Sequence, residues 1–136
     1  MSLQGASPLN FVSYEPGVCN IGPAEISRRM RAGHAGVIAS VVLFVLLVAV
    51  GAPHLVRLVV ALPTAVAASG YIQARLHFCA AFGSRGVFNF GALGSVETVA
   101  DQEAQARDRR RSMQIGLTSA AVGLAVGIVA ALLPIA

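Results

Sequence analysis

Two cysteines and two histidines are the residues of this sequence best suited to chemistry. Cys19 lies just ahead of an apparent helix start, His34 opens an apolar run, and only Phe78 separates His77 from Cys79. Cysteine and histidine are common ligands of zinc and softer metals, and a cysteine thiolate is also a nucleophile. Cys19, His34, His77 and Cys79 therefore form a candidate thiol or metal site, with the metal unknown.

The pattern leaves several interpretations of these four residues open. No CxxC pair occurs, and residues two apart on a helix point in different directions, so the spacing is unlike a zinc module. His34 and His77 could ligate a haem, although axial histidines usually lie deeper in a membrane. Each cysteine could be a small apolar filler, or Cys19 could be reactive, with a pKa lowered by the nearby helix start and arginines.

Motifs of the common enzyme classes are absent from the sequence. It contains no Ser-His-Asp or HExxH arrangement, no paired carboxylates and no phosphate-binding loop. The four acidic residues between positions 97 and 108 are expected on the surface of a helix. We therefore predict that the chain is not an enzyme and needs no cofactor.

Composition defines the elements that must position these residues. The chain has 136 residues, of which 56% are hydrophobic and 12% charged, whereas charged residues make up about 25% of a soluble domain. Residues 32–56, 58–74 and 112–136 contain no Asp, Glu, Lys or Arg. A helix of about 20 residues crosses a bilayer, so the sequence predicts an all-α integral membrane protein with three transmembrane helices.

Helix signals set the predicted boundaries. Gly33 is predicted to turn a short interfacial helix into the first span, while Arg57 and Arg75 extend towards the headgroups at the ends of the second. The predicted segments are a cytoplasmic tail at 1–22, an interfacial helix at 23–31, transmembrane helices at 33–50, 55–74 and 113–134, and a cytoplasmic Gly/Phe loop with a polar helix at 75–112.

The interfacial helix has its own start signals. Gly22 is predicted at the N-cap and Pro23 at the first helical position. Glu25 then reaches back to a backbone N–H as half of a capping box, and Ile21 packs on Ile26 as a hydrophobic staple.

Further features concern the second span and the long loop. Pro63 is predicted to kink the second helix, because it frees the carbonyl of Val59. Residues 82–95 are predicted to form a flexible connection. Ser95 is predicted to cap a polar helix that runs unbroken into the third span.

The arginines predict the orientation. All ten basic residues are arginine, and only Arg57 lies on the far side of the first or second span. The positive-inside rule places the amino terminus in the cytoplasm and the carboxyl terminus outside the plasma membrane. A cleaved signal peptide is the alternative for the first span, but too many residues precede it.

The predicted headgroup anchors are Arg28, Arg29, Arg31, Arg109, Arg110 and Arg111. The net charge of +4 is thus a topology signal, and no nucleic acid is expected as a partner.

Small residues recur every four positions in the second and third spans, which lets helices approach closely. Such stripes serve either packing within the chain or assembly with other subunits, and the pattern leaves both open. The helix-packing residues are Ala61, Ala65 and Ser69 in the second span, and Ser119, Gly123, Gly127 and Ala131 in the third.

One short segment resembles a known family. The residues are Asn20-Ile21-Gly22 followed by Glu25, Arg29 and Gly33. They resemble the N-[VI]-G-x-x-[DE] start of a small bacterial inner-membrane domain family associated with rhodanese-type sulfurtransferases. The resemblance covers residues 20–33 and the following helical hairpin. Ile26 departs from the usual Arg, and the family lacks the loop and third span. The resemblance implies a membrane platform for sulfur handling, with Cys19 or Cys79 accepting a persulfide from a partner enzyme.

Taken together, these patterns predict a non-enzymatic accessory or scaffold subunit of a larger membrane complex. Its expected partners are the lipid bilayer and other membrane protein subunits. The alternative function is a cytoplasmic-face thiol or metal relay that partners a sulfurtransferase or a transporter.

Overall fold

The computed structural model describes residues 13–135 of the chain. The elements are α1 (Pro23–Ala49), a 3₁₀ helix (His54–Val60), α2 (Ala61–Leu76), α3 (Ala80–Arg85), β1 (Val87–Phe88), β2 (Glu97–Thr98) and α4 (Gln102–Leu132). Three helical segments, α1, the 3₁₀ helix with α2, and α4, have 27, 23 and 31 residues and are apolar enough to cross a membrane. The predicted helical fold with three helices of spanning length is confirmed.

The chain divides into two compact units. The polar unit comprises residues 13–29 and 73–115, and the apolar unit comprises residues 30–72 and 116–135. All six acidic residues of the sequence belong to the polar unit. Within the apolar unit Arg31 and Arg57 are the only residues of the Asp, Glu, Lys and Arg types, a composition suited to hydrocarbon.

Helix α1 is continuous from Pro23 to Ala49. The predicted separate interfacial helix at 23–31, with a turn at Gly33, is therefore wrong. Gly33 is buried inside α1, and a Cβ on it would lie 2.7 Å from the Tyr71 ring. The glycine thus allows a helix to pack closely against an aromatic ring, and an α-helix accepts it at a cost of only about 1 kcal/mol.

The start of α1 agrees with the sequence signals in part. The Ile26 N–H donates to the Gly22 carbonyl at 3.0 Å, and Ile26 packs against the cluster formed by Ile21, Cys79 and Phe82. The capping box is wrong, because the Gly22 N–H donates to the Asn89 carbonyl at 2.9 Å. The Glu25 carboxylate accepts a hydrogen bond from the Asn89 side chain instead.

The second potential span changes helix type near its proline. A 3₁₀ helix ends at Val60 and α2 begins at Ala61, which places Pro63 in the first turn of α2. The Ala61 N–H points at the carbonyls of Leu58 and Val59. A contact from Ala61 thus replaces the α-helical hydrogen bond that Pro63 cannot donate to Val59.

Helix α4 begins later than predicted. Ser95 lies outside it, and the Asp101 carboxylate accepts a hydrogen bond from the Ala104 N–H at 2.9 Å. Between these positions Glu97–Thr98 pairs antiparallel with Val87–Phe88. The β-branched residues around Glu97 favour a strand, whereas aspartate is among the best N-caps. The helix then continues into the apolar stretch, as predicted.

Residues 82–95 have defined local structure where a flexible connection was predicted. Gly86 ends α3 with a left-handed φ of 71°. Asn89 then orders the turn after β1, because its side chain donates to the Ala92 carbonyl at 2.8 Å and accepts from the Gly91 N–H at 2.9 Å.

The small-residue stripes pack within the apolar unit. A Cβ on Gly123 would lie 2.5 Å from the Ala61 carbonyl oxygen and 2.7 Å from the Ala65 Cβ. A Cβ on Gly127 would lie 2.9 Å from the Ala61 Cβ. Ser119 and Ala131 of the same stripe are buried as well. The stripe on α4 is therefore covered by the chain itself.

Candidate functional site

The four candidate residues have three different surroundings. Cys19 and His77 line one pocket of the polar unit. Cys79 is buried in the same unit, with 1% of its surface exposed. His34 belongs to the apolar unit, where its Nδ1 lies 2.7 Å from the Tyr71 hydroxyl. Among residues 13–135, no three Cys, His, Asp or Glu side chains are grouped so that they could hold a metal ion.

The pocket that contains Cys19 and His77 has a volume of about 240 Å³. His77 follows the last residue of α2 and has a φ of 56°, a conformation that costs a residue other than glycine about 1 kcal/mol. The His77 carbonyl accepts hydrogen bonds from the N–H groups of Asn20 and Ile21 at 3.0 and 3.3 Å. These bonds hold the end of α2 against the segment that carries Cys19. The lining residues are Ser13, Tyr14, Glu15, Val18, Cys19, Leu76 and His77.

Cys19 is not activated by these surroundings. Burial raises the pKa of the Cys19 thiol, and the negative charge of Glu15 raises it further, while a hydrogen bond to the Ile21 carbonyl opposes them. Of the two alternatives for Cys19, this direction favours a buried apolar filler over a reactive thiol. The thiol is 7% exposed, and loss of hydration disfavours the thiolate.

We expect Cys19 to react with iodoacetamide more slowly than free cysteine at pH 7, because only the thiolate attacks. Each unit by which a pKa rises lowers the thiolate fraction about tenfold at neutral pH. A Cys79→Ser variant isolates Cys19, and its alkylation rate should still be rising above pH 9. A rate at pH 7 equal to that of free cysteine would contradict the raised pKa.

Five polar residues around Cys79 form a buried network, which we call the Cys79 cluster: Asn20, Glu25, Arg29, Cys79 and Asn89. The Asn20 side chain donates to the Cys79 carbonyl at 3.1 Å and accepts from the Cys79 N–H at 2.6 Å. The Arg29 Nη2 atom lies 2.7 Å from the Cys79 Sγ and 3.4 Å from the Glu25 Oε1. Asn89 donates to the Glu25 Oε2 at 3.2 Å.

The Cys79 cluster joins three elements of the polar unit. Glu25 and Arg29 belong to α1, Cys79 is the N-cap of α3, and Asn89 follows β1. Glu25 is 1% exposed, and a buried charge is tolerated only when it is paired and hydrogen-bonded. Arg29 provides the opposite charge for Glu25, and Asn89 provides the hydrogen bond. Arg29 was predicted as a headgroup anchor, but its guanidinium is used inside the protein.

A second buried carboxylate ties residues 14–17 to α4. Asp108 has no exposed surface and accepts hydrogen bonds at 2.7 Å from both the Tyr14 hydroxyl and the Gly17 N–H. Arg111 donates to the Gly17 carbonyl at 3.1 Å. The expectation of a surface position is therefore wrong for Asp108, and Arg111, predicted as an anchor, contacts the protein. The other predicted anchors, Arg28, Arg31, Arg109 and Arg110, are exposed.

We expect Tyr14 to titrate above the ordinary tyrosine pKa of about 10. Burial raises the pKa of Tyr14, and its hydrogen bond to Asp108 and the Asp108 charge add to the rise. A Tyr71→Phe variant leaves Tyr14 as the single tyrosine, so absorbance at 295 nm reports it alone. The folded phenol holds its proton more tightly than the unfolded one, so its contribution to stability is complete below pH 10 and is lost as the pH rises further. A titration midpoint at or below pH 10 would contradict the hydrogen bond between Tyr14 and the buried Asp108.

The apolar unit contains a charged site that the sequence patterns did not reveal. Arg57 is 1% exposed and donates to the carbonyls of Leu133 and Ile135, just beyond the end of α4. The His54 Nδ1 lies 2.8 Å from the Ala131 carbonyl. The last carbonyls of a helix have no partners within it, so His54 caps α4, while Arg57 binds the segment that follows the helix. The predicted extension of Arg57 towards lipid headgroups is therefore wrong.

These features define a class: a mostly helical protein with three helices of membrane-spanning length and a polar unit held together by buried side-chain hydrogen bonds. No protein-family model, curated protein or solved structure matches this chain.

Proposed function

We propose that this chain is a multi-pass protein of a bacterial inner membrane and a non-enzymatic accessory or scaffold subunit of a larger membrane complex. Its amino terminus and polar unit lie in the cytoplasm, and its carboxyl terminus lies outside. Arg28, Arg31, Arg109 and Arg110 carry exposed charges that suit contact with anionic headgroups on the cytoplasmic side.

The outer face of α1 supports insertion into a membrane. Its apolar side chains Ile38, Val41, Val42, Val45 and Leu46 are between 51% and 64% exposed. A patch of this kind is unfavourable in water but matches lipid tails or the helices of another subunit.

The observation that carries the scaffold proposal is the use of the polar side chains inside the polar unit. In the Cys79 cluster a carboxylate, a guanidinium and a thiol contact one another, and Asp108 is bonded to Tyr14 and Gly17. Groups that could act on a substrate instead fix the relative positions of α1, α3, β1 and α4. A polar unit whose elements are held together by buried hydrogen bonds is suited to holding a partner in place.

Co-purification tests the scaffold proposal. The tagged chain is extracted from its native membrane in a mild detergent, and the proteins that elute with it are quantified by mass spectrometry. We expect at least one membrane protein in a fixed ratio to the chain, and its loss from an Asn20→Ala variant that still fractionates with the membrane. An isolated chain with no co-eluting protein would contradict the scaffold role.

A thiol or metal relay is the second candidate, because Cys19 and His77 line the same pocket. In this case Cys19→Ser should reproduce the phenotype of a gene deletion while the co-purifying partner is retained. The scaffold proposal predicts wild-type growth for the same variant. Ser27→Ala, at an exposed position of α1 outside the pocket lining, is the matched control.

A further inference from the structure

The apolar unit contains a groove that none of the functions above uses. The groove has a volume of about 240 Å³. The Ser40 hydroxyl in its lining already donates to the Gly36 carbonyl at 2.8 Å and lies 3.1 Å from the Thr64 hydroxyl. All three potential spans contribute to the lining, which consists of Ser40, Val41, Phe44, Val60, Val126, Val129, Ala130 and Leu133.

The size and chemistry of the groove restrict its occupant. Water is retained in a cavity only where two or more polar groups can bind it, and the other lining side chains are apolar. A helix about 10 Å in diameter is too wide for this volume. A flexible hydrocarbon chain fits, and in a bilayer such chains are the surrounding solvent.

One end of the groove lies beside the buried arginine. His54, Arg57 and Val60 are spaced by three on the 3₁₀ helix, where side chains three apart eclipse one another. Val60 lines the groove, and so does Leu133, whose carbonyl accepts a hydrogen bond from Arg57 at 3.2 Å. One face of the 3₁₀ helix therefore carries the exposed His54, the buried Arg57 and Val60, which lines the groove.

Charge favours an anionic occupant at this end. The apolar unit contains no acidic residue, and the hydrogen-bond acceptors of Arg57 are the neutral carbonyls of Leu133 and Ile135. In a medium of low dielectric constant the charge of a guanidinium extends well beyond its own contacts. A phosphate at the mouth of the groove would balance it.

We propose that the groove holds one acyl chain of an anionic phospholipid, with the phosphate beside His54 and within the field of Arg57. This inference rests on the proposed insertion into a membrane. The occupant is a lipid from the leaflet at the His54 end, bound at one site on each chain.

Native mass spectrometry of the purified full-length chain tests this site, with phosphatidylglycerol and phosphatidylcholine of identical acyl chains as probes. We expect one retained lipid and about a fivefold preference for phosphatidylglycerol, the effect of one basic group near an anionic headgroup. Val129→Phe fills the groove and should weaken retention about tenfold, because contacts to several methylene groups are lost. Ala125→Phe, on an exposed position of α4 outside the lining, is the matched control and should retain the lipid.

A second variant separates charge from shape. Arg57→Gln keeps hydrogen-bond donors for the Leu133 carbonyl but removes the charge, so both lipids should bind equally. His54→Ala keeps the Arg57 charge and should therefore keep the preference for phosphatidylglycerol, so loss of the preference in this variant would contradict the assignment to Arg57. Equal retention of the lipid by wild type, Val129→Phe and Ala125→Phe would overturn the site. The site would also be overturned if Val129→Phe, but not Ala125→Phe, released a bound protein, because the occupant would then be a protein. A chain that stays soluble without detergent would instead overturn the proposed membrane insertion.

Discussion

Replacing Gly123 with alanine should lower the free energy of unfolding by about 3 kcal/mol, the upper part of the range for overpacked cores. The added Cβ would meet the backbone oxygen of Ala61 at 2.5 Å. Backbone atoms cannot rotate away as a flexible side chain does, so α4 and the start of α2 would have to separate. Denaturation in mixed detergent micelles, followed by circular dichroism, measures the loss.

Gly116 provides the matched control on the same helix. A Cβ on Gly116 would have no atom within 4 Å, and alanine is a better helix former than glycine by about 1 kcal/mol. Gly116→Ala should therefore leave stability unchanged or raise it slightly. Equal losses for the two variants would show that Gly123 is not a contact point between α4 and α2.

Replacing Asn20 with alanine should destabilise the polar unit by about 2 kcal/mol, because the buried N–H of Cys79 loses its partner at a cost of about 1–3 kcal/mol. The Cys79 carbonyl loses the Asn20 side chain as well but keeps its hydrogen bond from the Gly83 N–H at 2.9 Å. Hydrogen exchange read by mass spectrometry should show faster exchange around α3 and β1.

Ser27→Ala is the control for Asn20→Ala, since Ser27 is an exposed position of α1. It should change stability by less than about 0.5 kcal/mol, as surface substitutions usually do. If Asn20→Ala has an equally small effect, the bonds to Cys79 do not hold the polar unit together.

The apolar helices were predictable because their signal is local. Three stretches without Asp, Glu, Lys or Arg indicate three helices of spanning length, and repeated small residues indicate close packing. Gly33 shows the limit of such reasoning. A glycine can allow either a turn or a close contact, and the Tyr71 ring that decides between them lies 38 positions away, on another helix.

The polar contacts could not be predicted, because their partners are distant in sequence. Asn20 meets Cys79 across 59 positions, and Tyr14 meets Asp108 across 94. A charged residue in a run of charges is usually exposed, so Asp108 and Arg111 gave no sign of their contacts. The sequence left the reactivity of the Cys19 thiol open for a related reason. Nearby arginines in sequence lower a pKa only if they contact the thiol in the fold, and here burial dominates.

Arg57 has both an ambiguous local signal and partners that are distant in sequence. Its position between two apolar runs suggested a side chain that reaches the headgroups, as arginines near span ends often do. The carbonyls that Arg57 binds lie one to three positions after the end of α4 and more than 70 positions after Arg57 itself. The preference of basic side chains for helix carboxyl termini was the one signal available, and it does not identify which helix.

The most direct test of the account is the accessibility of two engineered cysteines on opposite sides of the membrane. Val50 and Ser95 are exposed positions, one after α1 and one between β1 and β2. In intact spheroplasts a membrane-impermeant maleimide should label Val50→Cys, whereas Ser95→Cys should be labelled only after the membrane is permeabilised. Labelling of Ser95→Cys in intact spheroplasts, with Val50→Cys protected or equally labelled, would contradict a membrane-inserted chain with its polar unit in the cytoplasm.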